Sequence, residues 1–103
     1  MSQYALLRSR ELRRFALELL SSTDKAGVNF GLKFSQLRPA YRGQSFTISD
    51  ADIETALRDL IADKLIEVQR DPILDEDLFK LTKRGRIFVA KNYPWDEVDK
   101  LTD

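Results

Sequence analysis

Residues 48–86 read ISDADIETALRDLIADKLIEVQRDPILDEDLFKLTKRGR, and their pattern decides the fold. Ser49 is a helix-start residue, and Asp52 three places on supplies an acidic version of the reciprocal cap. Ile53, Leu57, Leu60, Ile61 and Leu65 follow at helical spacing as one apolar stripe. Around Ile66 and Val68 the period drops to two, as in a strand with one buried face. A loop holding Pro72 and the acids Asp71, Asp75, Glu76 and Asp77 leads to a second short apolar run, Leu78–Leu81. Thr82 then opens another helix over about 83–92. The order is capped helix, strand, loop, strand, helix.

That order resembles the winged helix-turn-helix family, and two phrases match as well. Leu60-Ile61-Ala62-Asp63-Lys64-Leu65-Ile66 is similar to the end of the recognition helix in bacterial regulators of the MarR, PadR and ArsR type. Leu81-Thr82-Lys83-Arg84-Gly85 is similar to their second wing strand, which runs into leucine-threonine-x-x-glycine. The resemblance covers roughly residues 32–92. It implies an α+β, mainly α fold: a winged helix-turn-helix with three core helices, a β-hairpin wing and a C-terminal helix. It further implies a DNA-binding transcriptional regulator whose third helix enters the major groove, and a homodimer built through terminal helices.

With 103 residues, the chain is expected to form a single domain over 1–103, with its core at about 4–93 and a short tail at 94–103. It contains neither cysteine nor histidine. Disulfides, thiolate metal sites and the usual general base near neutral pH are therefore unavailable. No glycine pattern cradles phosphates, and no serine sits in a nucleophile-type turn, so no catalytic residue, metal site or cofactor is assigned and an enzyme is not expected. No apolar run approaches the roughly 18–20 residues that span a bilayer, and no signal-peptide core opens the chain, so the expected location is cytoplasmic.

Net charge is zero but unevenly spread: +5 over residues 1–48 and −5 over 49–103. Upstream, the sequence predicts a first helix at 4–22 on the stripe Leu12, Phe15, Ala16, Leu19 and Leu20, ending at Ser21-Ser22-Thr23-Asp24. A small strand within Val28–Phe34 and a short helix at about 36–42, capped by Ser35 and limited by Pro39, come next. Phe46 and Ile48 are expected to dip into the core, and Trp95, Val98 and Leu101 to line one side of a final turn.

Two functions compete. As a DNA binder, the chain would read bases with Thr55 and Arg58 and hold phosphates with Arg38, Arg42, Lys83, Arg84 and Arg86, its partner being double-stranded DNA. Against this stand Asp50, Asp52 and Glu54 in the opening of the third helix and the acidic wing tip, since carboxylates lose energy among phosphates. As an interaction module, the chain would bind a basic or amphipathic protein through Asp52 and Glu54 of that helix and Ile73 and Leu74 of the wing tip. The discriminating feature is where the basic residues lie relative to the third helix.

Overall fold

The computed structural model describes residues 3–25, 31–45, 47–71 and 76–101. It is mainly helical, with one small antiparallel sheet. Helix α1 (Gln3–Lys25) leads through strand β1 (Leu32–Lys33) to helices α2 (Phe34–Gln44) and α3 (Asp50–Ala62). Strands β2 (Ile66–Asp71) and β3 (Glu76–Leu81), helix α4 (Lys83–Ala90) and a 3-10 segment (Trp95–Lys100) complete the described chain.

Helix α1 runs three residues beyond its expected end. Thr23 Oγ1 donates to the Leu20 carbonyl at 2.9 Å and Ser21 is buried, so these hydroxyl residues extend the helix instead of stopping it. Helix α2 starts at Phe34, ahead of the Ser35 cap, and passes through Pro39. The Gln36 side chain accepts from Lys33 N–H at 2.9 Å to secure the start. Pro39 lacks only the N–H that would reach back one turn to Ser35, and Ser35 is exposed, where water satisfies the freed carbonyl.

Helix α3 begins as its sequence indicates. Ser49 Oγ accepts from Asp52 N–H at 3.1 Å, and the Asp52 carboxylate accepts from Ser49 N–H at 2.9 Å. Ile53, Leu57 and Leu60 enter the core from one face. Lys64 then takes a left-handed conformation (φ 62°), ending the helix and turning Leu65 fully inward.

The sheet has the order β1-β3-β2, with Leu32 opposite Phe79, Ile66 opposite Leu81 and Val68 opposite Phe79. Strand β3 begins at Glu76, two residues before the apolar run, because the hairpin ladder continues through Arg70 opposite Asp77 and Asp71 opposite Glu76. Gly31 (φ +79°) opens β1 in the left-handed region, where an added Cβ would strike the Phe79 carbonyl.

Helix α4 is capped by Thr82 Oγ1, which accepts from Gly85 N–H at 2.9 Å. It ends at Ala90, before the expected 92, because Asn92 and Tyr93 both turn left-handed (φ 62° and 59°) ahead of Pro94. The tail folds back: Trp95 meets Phe88 edge-on at 4.8 Å, and Leu101 is buried. One core therefore joins all four helices, with Leu17, Leu37, Tyr41, Ile53, Leu60, Leu65 and Phe88 fully buried. Each such side chain contributes about 1.5–3 kcal/mol relative to exposure. Ile48 joins them, while Phe46, Ile73 and Leu74 lie outside the described residues.

Candidate nucleic-acid interface

Helix α3 packs its apolar face on the core and turns Ala51, Glu54, Thr55, Arg58 and Ala62 outward. Most of its acids do not share that face. Asp50 points toward α2, where Arg42 donates to it at 2.7 Å and Arg38 at 3.4 Å. Asp52 is occupied by the Ser49 backbone and by Arg8 of α1 at 3.5 Å, and the Ser49 N–H is the main reason its carboxyl sits below the usual aspartate range. Asp63 lies against α1 with Arg13 at 4.0 Å, and partial burial pushes its carboxyl up despite that cation. Asp50, Asp52 and Asp63 are thus drawn to the flanks of α3 by arginines of the neighbouring helices. Of the acids in the helix opening, Glu54 remains outward.

The chain has ten arginines, all among the described residues. Nine of them meet a carboxylate or a carbonyl: Arg8 with Asp52, Arg10 with Asp96, Arg13 with Asp63, Arg14 with Glu18, Arg38 and Arg42 with Asp50, Arg70 with Asp77, Arg84 with carbonyls and Arg86 with Asp24. Arg58 is the exception among them. Its guanidinium stands on the outward face of α3 beside Thr55, with no ion pair or hydrogen bond to the described residues.

The expected phosphate contacts divide. Arg38 and Arg42 converge at the start of α3 through their shared carboxylate. Lys83 is exposed at the start of α4. Arg84 instead turns inward, donating to the carbonyls of Asp63 at 3.0 Å, Leu101 at 2.7 Å and Val98. Arg86 makes a two-pronged contact with Asp24, both bonds 3.0 Å, and this holds the Asp24 carboxyl below its usual range. Neither arginine of α4 joins the group at α3.

Arg84 is a structural tie. It fastens the end of α3 to the folded-back tail that carries Trp95, the chain's single tryptophan. Arg84→Met is expected to lower stability by about 2 kcal/mol and to shift Trp95 fluorescence in the folded protein. Arg84→Lys keeps the charge but cannot reach three carbonyls, and should behave similarly. Unchanged melting in both variants would return Arg84 to the list of surface contacts.

Between α3 and the β2–β3 hairpin lies an open cleft of about 440 Å³. Its floor is apolar, from Phe34, Leu57, Ile61 and Phe79, and its rim carries Arg58 and Arg70 against Glu54, Glu76 and Asp77. Of the residues read as a partner-binding surface, Asp52 is engaged in capping, whereas Glu54 is exposed on this rim. Arg8 and Arg70 were not singled out as part of the surface by sequence. The signal for Arg8 lay in the spacing of Asp52, Asp59 and Asp63, which share one edge of α3 at seven and eleven residues.

Among the described residues no group of three His, Cys, Asp or Glu side chains could hold a metal ion, and no helix is long and apolar enough to cross a membrane. Searches against protein-family models, curated proteins and solved structures give no match for this chain.

Proposed function

We propose that the chain is a cytoplasmic winged-helix DNA-binding protein that acts in transcription regulation, with α3 as its reading helix and no enzymatic role. The observation that carries this reading is Arg58, the one arginine of ten with no ion pair or hydrogen bond among the described residues, on a helix face from which Asp50, Asp52 and Asp63 are withdrawn. The element order α1-β1-α2-α3-β2-β3-α4, with β1 on the far edge of β3, supports the winged-helix assignment. Thr55 and Arg58 would meet base edges, while Arg38, Arg42 and Lys83 would meet phosphates on either side.

A second reading is favoured by one observation, the α3–hairpin cleft, whose apolar floor and three rim carboxylates would suit a protein segment carrying a cation beside an aliphatic side chain. The deciding experiment is retention of the purified protein on mixed duplex fragments, titrated from low to moderate salt. Three phosphate contacts predict that log affinity falls linearly with log salt, with a slope near −3 at about 0.9 per phosphate. No retention at ~50 mM salt, where nonspecific attraction is strong, would overturn the DNA reading in favour of the cleft.

A further inference from the structure

The outward face of α3 carries few polar groups. Ala51, Thr55, Arg58 and Ala62 recur at three- and four-residue spacing and are all exposed, so they run down the middle of that face. Glu54 is exposed beside them, one turn before Arg58, and both line the side toward the hairpin. Arg38 and Arg42 lie to one flank, held there by Asp50. The alanines at 51 and 62 leave nothing bulky above or below the central turn.

Position decides what Arg58 can meet. When a helix lies in the major groove, the middle of its outward face looks at base edges and its flanks look at phosphates. On a base edge, a fork of N–H donors is matched by guanine, whose O6 and N7 both accept. Glu54 needs the opposite chemistry. A carboxylate loses energy beside phosphates, and base edges offer it a donor only at cytosine N4 and adenine N6. At adenine the neighbouring N7 is an acceptor that repels it, which leaves cytosine. Glu54 and Arg58 have the order and spacing of a helical ion pair, acid first and four residues apart, yet no ion pair joins them. Neither has another ion pair or hydrogen bond among the described residues. Exposed pairs of this kind are weak, so both side chains stay open to a ligand.

Resting on the DNA reading above, we infer that α3 selects a site with a guanine met by Arg58 and, one or two base pairs away, a cytosine met by Glu54. The separation comes from the helix, since four residues rise about 6 Å and base pairs stack about 3.4 Å apart. Glu54 acts chiefly by exclusion. Against an acceptor edge its carboxylate repels, so sites without the cytosine are penalised more than the matched site is rewarded. Thr55 suits several bases through its hydroxyl and methyl group and adds little selectivity.

Selection from a random-sequence duplex pool by the whole chain, followed by titration of the enriched site, tests the inference. The expected site holds guanine and cytosine at that separation. Replacing its guanine by the analogue with carbon in place of N7 should weaken binding about fivefold or more, and should leave Arg58→Ala unaffected. Glu54→Gln, a change at an exposed position, should select adenine where cytosine stood, because an amide pairs with adenine N6 and N7. A site lacking either base, an N7 replacement without effect, or the same site chosen by Glu54→Gln would overturn the inference while DNA binding stands. Equal retention of every sequence would do the same. Retention of no duplex removes the DNA reading itself, and the inference with it.

Discussion

Gly85→Ala is expected to cost about 3 kcal/mol, although by helix propensity alone the change should gain up to ~1 kcal/mol. Gly85 sits in the first turn of α4, and a methyl there would strike the Leu65 carbonyl oxygen and come within 2.8 Å of Leu81 Cδ2. That carbonyl is not free to move. It accepts from Thr82 N–H at 3.1 Å and lies 3.1 Å from Thr82 Oγ1, so it closes the hairpin ladder and anchors the cap of α4 together. Displacing it separates α4 from the base of the hairpin. For a domain of ordinary stability the loss is a large share of the whole, and the melting temperature should fall by roughly 15 °C. Gly43→Ala supplies the control, since nothing lies within 4 Å of a methyl built there in α2. It should stabilise by up to ~1 kcal/mol. If both alanines raise the midpoint of urea unfolding, the tight seat of α4 on Leu65 is wrong.

The parts of this architecture written in local sequence were legible without coordinates. Ser49 with Asp52 marked the start of α3 and Thr82 marked α4; each acts within a few residues of itself. Element ends were less so. The run Ser21-Ser22-Thr23 has the composition of a helix stop, yet Ser21 is buried in the core, and tertiary packing of the last turn overrides the preference. The second hairpin strand was read short for a related reason: Glu76 and Asp77 look like loop residues until they stand opposite Asp71 and Arg70 across the ladder. The candidate site was least legible where its contacts are nonlocal. Periodicity places Asp52 and Asp63 on an edge of α3, but it does not reveal that Arg8 and Arg13, far back in α1, meet that edge. The same holds for Arg86, whose carboxylate partner lies 62 positions away, and for Arg84, whose inward turn depends on where the tail returns. An acidic count along α3 therefore overstated the repulsion that its outward face would offer to phosphate.

If α3 reads DNA as proposed, Asp50→Asn and Arg58→Ala should move DNA affinity in opposite directions. One carboxylate at the start of α3 holds both Arg42 and Arg38, and all three side chains are about half exposed, within reach of an incoming phosphate. In the free protein that carboxylate competes for the two cations and repels the backbone they would contact. Removing its charge frees both arginines for the phosphates they meet and removes a repulsion, so affinity should rise while the salt slope stays near −3. At ~100 mM salt the affinity should rise roughly tenfold. The cost to folding is small, since an exposed acid in the first turn of a helix contributes about 0.3–1 kcal/mol. Arg58→Ala removes the guanidinium from the proposed reading face and should weaken binding by about 1–3 kcal/mol, roughly five- to 150-fold, while leaving stability unchanged. The two variants together separate the competing functions. A cleft that recruits a basic protein segment draws on Glu54, Glu76 and Asp77, so the asparagine at 50 would leave capture unchanged, and alanine at 58 would strengthen it by removing a like charge from the rim. Opposite signs on duplex DNA, with asparagine tightening and alanine loosening, are the outcome required of a helix that reads bases with Arg58 and keeps its phosphate clamps in check with Asp50.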